Sequence, residues 1–306
     1  VRSAGIAGRA VAAGDASADG ADVMVVVDAR MTFARTTTPL AGCYGTTTTR
    51  RGRRGRGRPR PRSAMPTVVV FDCESDRVFD RARGDRARQL HEMQCTVACA
   101  LVLQGEAVAA GQPAEAVLAQ AEELVCWRDA CDADGPFAPL LAAFDDAAII
   151  VGFNQLAFDM PLLRKHYPGP PAAAGARYLG HRLKCLDIFC EARARTDAWF
   201  GLGDFLRANA LPHKSGTGVN AVALWDKVQM GTDDEAREGR EALRAYCMDD
   251  VRLTAQLGLL PEPRLPPDGR TRTSNALFGI ASALAAFECG QSLARQSRAA
   301  AAAAAR

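Results

Sequence analysis

The stretch Thr67–Ser75, TVVVFDCES, decides the fold. Val68, Val69, Val70 and Phe71 form an unbroken apolar run rather than an alternating one. Such a run predicts a strand buried on both faces, as in a parallel or mixed sheet. The run ends in two carboxylates, Asp72 and Glu74. Alternate residues on a strand point to one face, so these two side chains emerge side by side. Adjacent carboxylates at the end of a buried strand repel each other, and a cation between them keeps both ionised. The plainer alternative is a strand that ends at Asp72 with both acids in solvent.

Downstream, MQCTVACALVL at 93–103 reads as a second long strand. Residues 105–122 read as a loop or irregular helix, and LVCWR at 124–128 as a third strand. Helical spacing at 136–146 precedes a strand and turn, AAIIVGFN at 147–154. A helix over 160–167 tolerates Pro161 in its first turn. RLKCLDIF at 182–189 is a fifth strand running into a helix. Short helices are predicted at 201–210 and 218–228, and one long amphipathic helix at 233–260. Three strands, then alternating helix and strand, then helices, imply an α/β domain with a mixed five-stranded sheet flanked by helices, over residues 66–262.

Two further segments place carboxylates where a core would not choose them. In GFNQLAFDMPLL, at 152–163, a strand and a turn through Asn154 lead to Asp159 in the first turn of a helix. An Asp there also serves as an ordinary cap. In AYCMDDV, at 245–251, Tyr246 and Asp250 stand four residues apart and share one helix face. Asp249 points about 100° away and is expected in solvent. Four carboxylates on a strand end, a helix start and a helix face can converge on one site. All-oxygen ligation suits Mg²⁺ or Mn²⁺ rather than zinc. Several carboxylates holding two such ions form a clamp for in-line attack on phosphate esters.

Composition narrows the classes. Of 306 residues, 48% are apolar and 24% charged, as in a folded domain with a sizeable core. No apolar run reaches the 18 or so residues that a membrane helix needs, so a soluble, intracellular protein without a membrane partner is expected. The formal charge of +3 hides a split. Residues 1–66 carry twelve Arg against four Asp, whereas the remainder carries 26 basic against 31 acidic side chains. A uniformly basic nucleic-acid-binding surface is therefore excluded for the folded part. Residues 1–65 read as a disordered Arg-rich tail, compatible with a nuclear or organellar destination, and Met65 is a candidate start. Residues 263–306 read as a low-complexity tail. The ten cysteines include no CxxC pair, and Cys73, Cys95, Cys99, Cys185 and Cys247 fall in apolar or periodic segments, as buried thiols do. The four histidines show no mutual spacing and receive no role.

FDCES, NQLAFD and YCMDD, in that order, resemble the three motifs of the DEDD 3′–5′ exonucleases of the ribonuclease H-like superfamily. The Tyr four residues before the last Asp is similar to the DEDDy subgroup. The wording most closely resembles predicted exonuclease domains related to the proofreading domain of family B DNA polymerases. CLDIF at 185–189 and HKSGTG…AVALW extend the resemblance across 66–262. It implies a ribonuclease H-like fold and a two-metal phosphodiester hydrolase that trims the 3′ end of single-stranded DNA or RNA. Asp72 would contact both Mg²⁺ or Mn²⁺ ions, Glu74 and Asp250 the first, and Asp159 the second. Tyr246 would orient the attacking water. Asn154 would bond the turn or a terminal nucleotide, and Lys214 a backbone phosphate or only solvent. Asp187 would help the site or cap a helix. Because the folded part is acidic overall, DNA or RNA would need a local basic strip, supplied by Arg164, Lys165, Arg182, Lys184 and Lys214 or by the Arg-rich tail. A ribonuclease H-like binding or scaffolding module without catalysis is the alternative.

Overall fold

The computed structural model describes residues 66–130, 134–195, 198–212, 218–266 and 279–287. The expectations for residues 1–65 and for Lys214 lie outside them. Five strands form one sheet: β1 (Thr67–Ser75), β2 (Cys95–Leu103), β3 (Glu122–Trp127), β4 (Ala147–Gly152) and β5 (Cys185–Asp187). Their order is β3-β2-β1-β4-β5. β2 lies antiparallel to β1 and β3 antiparallel to β2, while β4 and β5 run parallel to β1. The sheet is mixed, α/β, and consistent with a ribonuclease H-like fold.

Helices cover both faces. They are α1 (Arg86–Glu92), α2 (Gly105–Ala109), α3 (Ala114–Ala119), α4 (Ala138–Asp146) and α5 (Asp159–Leu163). Then follow α6 (Pro171–Arg182), α7 (Ile188–Arg195), α8 (Leu202–Ala208), α9 (Gly218–Met230) and α10 (Asp233–Leu259). β1 reads as an unbroken apolar run because it is central. Val68 and Val70 enter one core with residues of α7 to α10, and Val69, Phe71 and Cys73 enter the other with α4, α5 and α6. Asp72 and Glu74 continue the first of these faces, so they point toward α10.

α10 is 27 residues long and opens with a capping box in which Thr232 and Glu235 bond reciprocally. Its buried stripe runs through Leu243, Tyr246, Cys247, Asp250, Val251, Thr254 and Leu257, the spacing of one helical face. Gly239 lets α9 approach closely, since a Cβ there would sit 3.0 Å from the Leu224 carbonyl oxygen.

Helical residues 280–287 pack on the same core. Ile280 and Leu284 are fully buried, and a Cβ on Gly258 would lie 2.8 Å from Ile280 Cδ1. These side chains come from within the stretch 263–306. Ile280→Ala in the full chain should therefore cost about 2–5 kcal/mol, the usual range for deleting a large buried aliphatic side chain. Urea unfolding monitored by circular dichroism measures it. A loss under about 0.5 kcal/mol, the size of an ordinary surface substitution, would show that the segment does not belong to the cooperative core.

Candidate active site

The parallel strands β1, β4 and β5 deliver their carboxyl ends to one edge of the sheet. Strand order reverses there: β2 and β3 extend from one side of β1, β4 and β5 from the other. Such a switch point leaves a crevice outside the strand ends. Asp72 and Glu74 come from the end of β1, the turn 153–158 from the end of β4, and Asp187 from the end of β5.

β1 and α10 bring the first group together. One ligand atom each from Asp72, Glu74 and Cys247 lies within 4.8 Å of the other two. Glu74 is 8% exposed and Asp250 only 4%. The Cys247 thiol bonds the Asp72 carbonyl oxygen at 3.5 Å. Burial pushes that thiol well above its ordinary pKa, and Cys99, Asp72 and Glu74 push it further. It stands among the acids as a neutral thiol. Asp249, expected in solvent, is half-buried beside the buried Asp250.

The turn after β4 supplies the second group. A buried amide fixes it: Gln155 Nε2 donates to the carbonyl oxygens of Ile150 and Leu186, at 3.2 and 3.0 Å. Gly152 leaves room for this amide, since a Cβ there would lie 2.9 Å from Gln155 Oε1. Asn154 adopts φ +62°, a left-handed conformation that Asn tolerates better than most residues. Asp187 pins the turn by accepting from the backbone N–H of Asn154 at 2.9 Å and of Leu156 at 2.8 Å. It also accepts from Cys190 N–H at 3.1 Å, which caps α7. Of the two expected roles of Asp187, the helix cap is observed, and the same carboxylate holds the turn after β4.

Asp159 follows as the first residue of α5. Its Oδ1 accepts from Cys73 N–H at 2.9 Å, so it is anchored between Asp72 and Glu74 in the chain of β1. Burial pushes its carboxyl up to about 7. The Cys73 N–H opposes this, and the nearby Asp187 and Asp250 add to it.

A cleft of about 720 Å³ opens beside these groups. Asp72, Asp250 and Asn154 line it together with Phe153, Phe189, Trp199 and Phe200. Asp72, Glu74 and Cys247 thus form one cluster, Asp72, Asp250 and Asn154 share one cleft, and Asp159 is tied to the same strand. Tyr246 is buried one residue before Cys247 on the inner face of α10.

Four side chains of the expected basic strip have partners within the protein, and Arg164 and Lys165 are exposed. Lys165 Nζ donates to the carbonyl oxygens of His91 and Met93, and Lys184 Nζ to those of Phe144 and Asp145. The guanidinium groups of Arg164 and Arg182 lie over the Tyr178 ring at 5.6 and 5.7 Å. Arginine reaches the cleft elsewhere, as Arg207. The reading from sequence missed this residue, the four aromatic side chains and the position of Cys247. FLR within a short helix and WF within a connection carry no motif that would have flagged them.

No protein-family model matches the chain, and no curated protein matches it. Among solved structures, the chain is similar to the family B DNA polymerase from the hyperthermophilic archaeon Pyrobaculum calidifontis, with a TM-score of 0.38 and 17% identity over 67% of this chain. The match spans a quarter of that polymerase chain, 25%. Similarity at this level carries no argument about activity. Among the described residues, no helix is long and apolar enough to cross a membrane.

Proposed function

We propose that the protein is a metal-dependent 3′–5′ exonuclease that hydrolyses phosphodiester bonds at the free 3′ end of single-stranded DNA or RNA. The catalytic unit lies in residues 66–262, with 279–287 packed on it. The observation that carries this reading is the meeting of β1 and α10, which sets Asp72 and Glu74 beside the helix face of Tyr246, Cys247 and Asp250. The donor set fits a hard cation, because its ionisable oxygens are carboxylates and its thiol is held protonated. The neighbouring charges that push the Asp159 carboxyl up are those of two further acids, Asp187 and Asp250, a crowding that a cation relieves.

Asp72, Glu74 and Asp250 would hold one Mg²⁺ or Mn²⁺ ion, and Asp72 with Asp159 a second. Bound divalent ions supply Lewis-acid polarisation of the scissile phosphate and stabilise charge on the attacking and leaving oxygens. The side chains of this chain do the remaining work. Tyr246 would orient the attacking water by a hydrogen bond from its phenol hydroxyl. Asn154, held at the cleft by Asp187, presents its amide to the terminal nucleotide. Lys214 is the proposed contact to a backbone phosphate. Chemistry at the backbone brings no sequence specificity.

The test is product length over time. The full chain is incubated with 5′-labelled single-stranded DNA and RNA, in Mn²⁺ and in EDTA, beside a circular single strand. The expected result is a Mn²⁺-dependent ladder that shortens from the 3′ end and leaves the circle intact. Cleavage of the circle would replace the exonuclease by an endonuclease. A folded protein that cuts neither oligomer would leave a nucleic-acid-binding module.

A further inference from the structure

Beside the acids, the cleft carries a feature that the three acidic motifs do not include. Trp199 is 68% exposed, and it is the one aromatic residue among the exposed large hydrophobic side chains of the described residues. An indole left in water forgoes the stabilisation that burial of so large an apolar surface gives. This one is nevertheless held in place. The Phe189 ring lies 5.1 Å away at 47°, and the Arg193 guanidinium stands 4.7 Å above the indole. Arg193 also donates to the Ala198 carbonyl oxygen at 3.4 Å, bracing the backbone that carries the ring. The aromatic wall continues inward. Phe153 packs on Phe189 at 5.7 Å and on Phe205 at 5.5 Å, and Phe200 packs on Phe205 at 5.9 Å. Arg207, ion-paired with Asp204, completes the lining.

The chemistry of the wall selects its occupant. The cleft lining pairs the carboxylates Asp72 and Asp250 with aromatic rings and Arg207, so a purely apolar ligand would leave its charged groups without partners. Aromatic faces with fixed arginines suit a chain that alternates flat π-systems and negative charges, which is a single-stranded nucleic acid. A base inside a duplex has both faces stacked on its neighbours and offers none to Trp199.

We infer that Trp199, braced by Phe189 and Arg193, is a base-stacking platform at the cleft mouth that makes the site select unpaired strands. The inference rests on the exonuclease reading for its placement, and it concerns binding and specificity rather than bond cleavage. Trp199 stacks one base of the strand, and Arg207 faces the backbone phosphates as the strand enters.

The experiment uses the full chain with Ca²⁺ in place of Mn²⁺, so that binding is read apart from turnover. The probe is a 5′-fluorescein-labelled ten-nucleotide oligothymidylate followed by anisotropy, with an unlabelled copy for tryptophan fluorescence. Of the three Trp residues, Trp225 is buried and Trp127 is half-buried and outside the cleft lining, so a bound base at the cleft mouth should quench mainly Trp199. The wild-type emission should fall on binding. Trp199→Phe should bind within about threefold of wild type but lose the quench. Trp199→Ala should bind about tenfold more weakly, in line with the loss of one stacked base. Its affinity for a blunt hairpin duplex should not change. Equal affinity of wild type and Trp199→Ala for the single strand would overturn the platform. So would equal losses for strand and hairpin, or no binding by the wild type. The two readings fail separately. Quenching without cleavage in Mn²⁺ leaves the platform and removes the exonuclease. Cleavage with an unchanged KM in Trp199→Ala removes the platform and leaves the exonuclease.

Discussion

Asp72→Asn should abolish Mn²⁺-dependent trimming of a 3′ end, with a loss of at least about 10³-fold in rate, the upper end for removal of one preorganised electrostatic contact. The argument is one of charge, not shape. Asp72 sits on the central strand, paired in register with Cys99 of β2, and shares its face with Glu74. Its carboxylate meets Glu74 and Cys247 within 4.8 Å. Asn keeps the size of the side chain and one acceptor oxygen but removes the negative charge that a divalent cation requires. Fold is not the casualty, since the substitution relieves repulsion among clustered acids, and thermal unfolding should occur at an equal or higher temperature. Asp249→Asn is the matched control. It lies beside Asp250 on α10 yet is half-exposed on another side of the helix, and activity should stay within about twofold, as for surface changes away from a site. Initial rates of nucleotide release from a labelled oligomer decide the matter. Retention of more than a tenth of the rate by Asp72→Asn would sink the carboxylate clamp.

The strands that build this edge were legible because each carries a signal local to itself. TVVVFDCES spells a doubly buried strand in nine consecutive residues, and β1 occupies that span. α10 was legible for the same reason: its apolar stripe repeats over 27 residues between a Thr232 cap and Leu260. Weaker signals blurred. β3 begins at Glu122 rather than 124, since its first two residues are exposed acids with no strand pattern. The span 105–122, expected as a loop or irregular helix, contains the short helices α2 and α3. Gly105 lies where a Cβ would meet the Pro66 carbonyl oxygen, a tertiary constraint without local trace. α6 is weakly amphipathic and carries Gly175 and Gly180, which obscure the helix signal of its alanines and of Pro171 in its first turn. The site divides in the same way. The acids were conspicuous in the sequence because carboxylates on a buried strand and a buried helix face contradict their surroundings. Trp199 and Arg193 were not, because neither contradicts anything until the fold sets one over the other. The carbonyl partners of Lys165 and Lys184 were hidden for a matching reason, since a sequence does not show which carbonyl oxygens a lysine will meet.

A second large effect concerns stability. The metal-free wild type should lose stability relative to Asp159→Asn as pH rises, by about 3 kcal/mol between pH 5 and 8, for a carboxyl raised to about 7. The direction follows from proton counting. In the unfolded chain Asp159 ionises near 3.8, whereas in the folded chain burial holds the proton until about 7. Across that window the folded state binds more protons than the unfolded state, so stability falls with rising pH and levels off above the folded pKa. Asp187, also raised by burial, acts in the same sense. His166 acts in the opposite sense, because burial lowers it to about 4 and the folded state holds fewer protons there. The raw pH profile mixes these groups, and the difference between the two chains isolates Asp159. Asn suits the comparison, since its Oδ1 still accepts from Cys73 N–H. Urea unfolding in EDTA at pH 5, 6.5 and 8 measures the difference. Adding Mn²⁺ should invert the trend for the wild type, because a cation binds the ionised carboxylate and its stabilisation grows as the proton leaves. The Asn variant should gain less from Mn²⁺ at every pH. A difference between the chains that stays flat in EDTA would mean that Asp159 is already ionised in the folded protein, and an equal gain from Mn²⁺ in both would remove it from the metal site.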